Sequence, residues 1–242
     1  DIKTVTGSDT LKAFSTVTVK GEIRGTSGDK LEMFNGVLEA TLFDKENTFT
    51  TSGRNNPPFT FKQLFNALFR GKATVKNGEF EFQFIVPKNI AYQFARGKFS
   101  LYAADQSRHT DATGVSTNFI IGGTETIGTS DITGPEINAY LGDSTFVNDG
   151  IASPNTILVA RLKDDSGINI SNYGIGNGLT AILDNDDNVY SLNDYYSADV
   201  DDFKGGWIYF PLYDLLPGRH TITIKAWDVF NNPSQQTIAF TV

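Results

Sequence analysis

The side chains in this sequence whose types could do chemistry are two histidines, a crowded set of aspartates, a glycine-rich turn and several aromatic rings. There is no cysteine, which excludes disulfides, thiolate metal sites and a cysteine nucleophile. A Ser-His-Asp triad needs its histidine at a cleft. His220 falls on a strand pattern shared with Ile222, Ile224 and Ala226, the place of a structural histidine that is buried or caps a turn. His109 lies in the polar run Ser107-Arg108-His109-Thr110-Asp111 and reads as a solvated loop residue. A metal site built on both histidines would have to join positions far apart in sequence.

The aspartates are denser. Asp184-Asn185-Asp186-Asp187-Asn188 places side-chain oxygens at alternate positions, as a calcium loop does, so Asp184, Asp186 and Asn188 are the candidate ligands and calcium the candidate cofactor. The helix-loop-helix calcium pattern fails, because its glycine position holds Val189 and its closing glutamate position holds Tyr195. Asp164-Asp165 precede this run, and Asp194, Asp199, Asp201 and Asp202 follow it. Turn-forming, solvated aspartates are the plainer reading. Gly174-Ile175-Gly176-Asn177-Gly178 lacks the spacing and the Lys-Ser/Thr pair of a phosphate loop and reads as a β-turn. Among the rings, Tyr195 and Tyr196 form the pair expected to be exposed and able to stack on a sugar, whereas Trp227 is expected in the core.

The elements that must carry these groups are strands. Hydrophobic residues make up 39% and charged residues 20% of the 242-residue chain, an ordinary globular balance. Glu79-Phe80-Glu81-Phe82-Gln83-Phe84 alternates with period two, a half-buried strand. Asn77-Gly78 before it predicts a type I′ turn and a hairpin over 72–86. Phe61, Leu64, Phe65, Leu68 and Phe69 recur at helical spacing and predict one or two helical turns. Short strands at intervals of 10 to 20 residues run through the rest, among them Val115 to Ile121 and Glu136 to Leu141, so the expected class is all-β, two tandem antiparallel Ig-like β-sandwiches.

Charge divides the chain. Residues 1–122 carry 15 Lys+Arg and 12 Asp+Glu, and residues 123–242 carry 5 and 16. The step coincides with the breaker-rich run 121–130, so the expected division is a first sandwich over 1–123, a linker or hinge over 124–134, and an acidic second sandwich over 135–242. The acidic half argues against nucleic acid as a partner, because phosphate needs a cationic face. With no charged-then-apolar leader at Asp1, the sequence reads as part of a longer protein.

An ordered series of motifs carries a resemblance: Phe69-Arg70-Gly71-Lys72-Ala73, Asn77-Gly78-Glu79-Phe80 and Phe84-Ile85-Val86-Pro87-Lys88-Asn89 in the first half, then Leu162-Lys163-Asp164-Asp165-Ser166-Gly167-Ile168-Asn169, Leu192-Asn193-Asp194-Tyr195-Tyr196 and Lys225-Ala226-Trp227-Asp228-Val229-Phe230-Asn231-Asn232 in the second. Together they resemble the region after the protease domain in type IX secretion system sortases (PorU-type) of Bacteroidota, which are related to the gingipain cysteine peptidases. The resemblance implies a cell-surface peptidase that removes C-terminal sorting domains from secreted cargo and passes the cargo to lipopolysaccharide. Its catalytic cysteine and histidine would lie upstream, so it places no catalytic residue here. It also implies an outer-membrane β-barrel partner, other attachment-complex components and secreted cargo as partners, and the outer face of the outer membrane as location. Asn177 stands where the resemblance leads one to expect histidine. The other reading of the sequence is a glycan- or lipopolysaccharide-binding sandwich.

Overall fold

The computed structural model describes residues 2–6, 9–54, 56–126, 131–171, 176–184 and 189–242, with nothing said of the side chains of residues 3–6. The fold is all-β and sandwich-like; among the described residues the one helical element is a single 3-10 turn, Asn193–Tyr195. In the N-terminal half a three-stranded antiparallel sheet (Ile2–Thr6, Thr16–Ile23, Glu79–Ile85) faces a four-stranded one ordered Thr110–Ser116, Lys98–Asp105, Gly36–Phe43, Ala67–Val75. In the C-terminal half a four-stranded sheet (Glu136–Leu141, Thr156–Lys163, Asp202–Leu212, Tyr196–Asp199) faces a five-stranded one ordered Gly150–Ile151, Pro233–Thr241, Arg219–Trp227, Thr180–Leu183, Val189–Ser191.

Alternation explains both cores. Phe80, Phe82 and Phe84 point inward while Glu79, Glu81 and Gln83 face out. Phe84 stacks on Phe69 at 4.4 Å between centroids and meets the edge of Phe99 at 6.1 Å. The second core is aliphatic: Leu158, Leu162, Ile208, Ile222 and Ile224 are fully buried between the two sheets. Removing such apolar area from water is worth about 25 cal/mol per Å², so these two clusters supply most of the driving force for folding.

Three expectations are corrected. The helical spacing at 61–69 belongs to two strands, Thr60–Gln63 and Ala67–Val75, with Leu64–Asn66 between them. Its apparent period is a coincidence of a hairpin arm meeting a core strand: Phe61 pairs across to Phe49, and Leu68 enters the first core. The Asn77-Gly78 turn is present, with both residues at positive φ and Lys76 bridging Glu79. Beyond that bridge, however, the two arms part into different sheets, so the turn joins the sandwich's layers. The strand expected over 115–121 is two strands, Thr110–Ser116 and Ile120–Thr124, the second running parallel to Thr10–Ala13 in a small side sheet.

Much of the breaker-rich run is held. Ile121 is fully buried, and the Glu125 amide donates to the Ala13 carbonyl at 3.0 Å. Residues 127–130 lie outside the described residues.

Gly78 has φ +75, and a Cβ there would lie 2.5 Å from the Leu31 carbonyl oxygen. Gly78→Ala should therefore cost about 1–3 kcal/mol, a strained conformation plus a displaced loop. Thermal unfolding read by circular dichroism checks this; an unchanged melting temperature would show that the turn relaxes freely.

Candidate functional site

His220 lies half-buried on the strand Arg219–Trp227 with both ring nitrogens engaged. Its Nδ1 is 2.6 Å from Asp184 Oδ2 and its Nε2 is 2.7 Å from the Leu216 carbonyl oxygen, and its ring stacks on Phe240 at 5.4 Å. The Asp184 hydrogen bond, helped by the Leu216 carbonyl, raises its pKa above the ordinary value. Such an imidazole pins a turn to a strand and has no free nitrogen for a substrate proton. His109 is an exposed loop residue at φ 50.

Asp184 is thereby withdrawn from the calcium loop. Its second oxygen accepts the Thr221 amide at 2.8 Å, so both oxygens face the neighbouring strand. Asp186 and Asn188 lie outside the described residues, as does most of the Gly174–Gly178 run. The sugar-binding pair is not a pair. Tyr196 begins a strand whose alternation turns its ring into the second core, 5% exposed, while Tyr195 is exposed and lies edge-on to Phe210 at 4.8 Å. Trp227 is half-buried on the opposite side of its strand from Ile222, Ile224 and Ala226, because an odd offset along a strand changes face.

The structure assembles a carboxylate cluster that sequence spacing hides. Asp131, Asp164 and Asp228 bring side-chain oxygens within 4.8 Å of one another. Asp164 leaves the strand Thr156–Lys163 in an Asx-type turn, its Oδ1 accepting the Ser166 amide at 2.8 Å. Asp228 ends the strand Arg219–Trp227 and accepts the Asn232 amide and side-chain amide, each at 2.6 Å. Asp131 accepts the Ser166 hydroxyl and the Thr133 amide, and its own carbonyl accepts from Asn232 at 3.0 Å.

These partners divide the charge. The Ser166 hydroxyl and Thr133 hold Asp131 below the usual carboxylate range. Burial is the main cause that pushes Asp164 up to about 6, with the charges of Asp228 and Asp131 adding to it. Asp228, fully buried, is also raised, by burial first and against its Asn232 donors. Crowded carboxylates of this kind either share protons or accept a hard cation through oxygen.

The largest arrangement is the seam between the halves. Ala67–Val75 is the outer strand of its sheet, and Tyr196–Asp199 is the outer strand of its own. They meet edge to edge. Lys72 bridges Val200 in parallel, the Asp201 amide donates to the Lys72 carbonyl at 2.9 Å, and the Asp201 carboxylate accepts the Thr74 amide at 2.7 Å and the Thr74 hydroxyl at 2.6 Å. Arg70 adds an ion pair to Asp194 at 2.6 Å and a bond to the Asn193 carbonyl at 3.2 Å. Farther along, Lys88 donates its amide to Val229, Asn231 donates to Asn89 at 2.7 Å, and Phe14 stacks on Phe230 at 5.0 Å. Ala67 of the first half is counted in the second core.

No protein-family model matches the chain, and no curated protein matches it. Among solved structures it is similar to dimeric latent PorU from Porphyromonas gingivalis, with 31% identity and a TM-score of 0.54 over 98% of this chain. The chain spans 22% of that protein's length. The fibronectin(III)-like modules of Clostridium thermocellum CbhA (8% identity, 99% of this chain and 94% of that one, TM-score 0.27) and the native conformation of E. coli alpha-2-macroglobulin (12% identity, 100% and 16%, TM-score 0.34) also match, at scores too low to carry an argument. The chain is thus similar in structure to a region of PorU over nearly all its length.

Because Asp164 holds its proton more tightly when folded, the native state binds more protons than the unfolded chain between its ordinary value of 3.8 and about 6. The part of the stability that Asp164 contributes should fall as pH rises through that window, and His220, raised in the folded state, loses its contribution as pH rises further. Asp164→Asn keeps the acceptor for Ser166 and removes the charge. It should flatten the slope between pH 4 and 6 and raise stability at pH 7, with a ceiling of about 3 kcal/mol. Melting curves across pH check this; an unaltered slope would assign the effect elsewhere.

Proposed function

We propose that this chain is the sandwich region that follows the protease domain of a type IX secretion sortase, displayed on the outer face of the outer membrane of a Bacteroidota cell. The observation that carries the reading is the likeness to PorU along 98% of the chain at 31% identity. The motifs of both halves fall within that span. In this reading the region supplies no catalytic group. It holds the protease at a set distance and angle from an outer-membrane β-barrel partner, other attachment-complex components and secreted cargo.

The seam supports a positioning role. A spacer works only if its parts do not swing, and an edge bridged at Lys72 and Val200, backed by the Asp201 bonds and the Arg70–Asp194 pair, makes a stiffer joint than a glycine-rich connection. The charge step also has a local use, since Arg70 and Asp194 pair across the joint.

Two measurements test this. The double variant Arg70→Ala with Asp201→Ala should split one calorimetric unfolding transition into two, at a cost of about 1–3 kcal/mol in coupling. In the whole protein it should lower removal of cargo sorting domains while cleavage of a short free peptide is kept. If sorting survives deletion of residues 134–242 and neither half is retained by the purified barrel partner, the positioning role is wrong.

A further inference from the structure

One element takes no part in either core or in the seam. The strands Asn47–Thr50 and Thr60–Gln63 form a separate two-stranded hairpin. Such a hairpin is marginal on its own, and this one is exposed on almost every residue. Its register puts Phe49 opposite Phe61 and Thr50 opposite Thr60. One face is therefore aromatic: Phe49 stacks on Phe61 at 5.7 Å, Phe59 on Phe61 at 6.3 Å, and Phe65 meets Phe49 edge-on at 5.4 Å. The other face is Thr48, Thr50, Thr60 and Lys62. Phe59 is 67% exposed, a large cost in water for a ring with no polar group.

The charge pattern around the hairpin identifies what would cover it. The chain has 28 Asp+Glu and a net charge of -8, yet residues 47–78 and 82–104 contain no acidic residue and hold eight of its 20 Lys+Arg. The second of these stretches carries exposed Tyr92 and Phe94, and it is tied to the base of the hairpin, where the Ala91 amide donates to Asp44 at 3.2 Å. Arg54 lies in the hairpin's turn, with Lys62 on its second arm. Protein-docking patches favour rings with a hydrogen-bonding handle, tyrosine and tryptophan. Lys62 pairs with Glu46 at 3.7 Å at the hairpin's base, whereas Arg54 in its turn and Lys88 and Arg96 in the adjoining loop are exposed cations, and phenylalanine rings beside such cations suit apolar insertion below an anionic headgroup layer.

We propose that the hairpin Asn47–Gln63, with the adjoining 88–96 loop, is a docking surface for an anionic lipid bilayer, its phenylalanines entering the headgroup boundary and Arg54, Lys88 and Arg96 meeting the negative charge. The proposal stands apart from the sortase reading and does not need it.

The test is co-sedimentation of the whole chain with vesicles of phosphatidylcholine alone and of equal parts phosphatidylcholine and phosphatidylglycerol. Binding should appear on the anionic vesicles, weaken with salt, and be at least about tenfold poorer on the neutral ones. Phe59→Ala with Phe61→Ala, and separately Arg54→Glu with Arg96→Glu, should each weaken anionic-vesicle binding about tenfold or more. Arg54→Glu alone, an exposed turn substitution that spares the hairpin's rings, should weaken it measurably at an unchanged melting temperature. Failure of the parent chain to bind either vesicle overturns the proposal, as does binding that folded variants leave unaltered. Vesicle binding absent while the phenylalanine variant loses a defined protein partner would make the surface a protein-docking one and overturn it equally.

Discussion

An open sheet edge must be covered, and that constraint organises this molecule. The strand Ala67–Val75 pairs on one side with Gly36–Phe43 and would leave its other row of amides and carbonyls bare. Unsatisfied edges invite pairing with any extended chain. Here the C-terminal half supplies the covering through Val200 and Asp201, which take the Lys72 carbonyl and the Thr74 amide. The Asp201 carboxylate stands in for a neighbouring strand's carbonyl, which is why an exposed acid sits where a sheet would otherwise continue. Phe203 follows on the same segment and packs against the first core, so apolar burial reinforces the polar closure.

The acidic cluster shows the same economy in reverse. Asp164 and Asp228 each sit where a strand stops, and each folds its carboxylate onto nearby amides to end the strand cleanly. Bringing both ends together with Asp131 places three like charges in a half-dry pocket. The raised pKa of Asp164 is the cost of turning three chain segments in one place.

The sequence made the strands legible wherever one face was buried. Glu79–Ile85 and Glu136–Leu141 alternate, and both are strands as read. It misled where burial did not control the pattern: Phe61 and Phe65 face solvent on a hairpin, so their spacing with Leu64 and Leu68 carries no helical information. Site chemistry was less legible still. Asp184 and Asp186 are neighbours in sequence, but Asp184 turns to His220. Asp131, Asp164 and Asp228 are distant in sequence and adjacent in space, a proximity that only tertiary pairing creates. The available signal was that two quoted motifs each place an acid, Asp164 or Asp228, where a strand pattern gives way to turn-forming residues, Ser166-Gly167 and Asn231-Asn232. Tyr195 and Tyr196 are neighbours in sequence but not in structure: Tyr195 closes the 3-10 turn and is exposed, whereas Tyr196 opens a strand whose alternation turns it inward.

The edge-to-edge joint also sets a schedule for biogenesis. Synthesis runs from the N-terminal side, so the strand Ala67–Val75 emerges with its outer rim naked and stays so until Val200 and Asp201 leave the exit tunnel. A nascent chain in that interval exposes both that rim and the aromatic hairpin beside it. Holdase chaperones that bind extended apolar segments have their window there, and it closes when the second half docks.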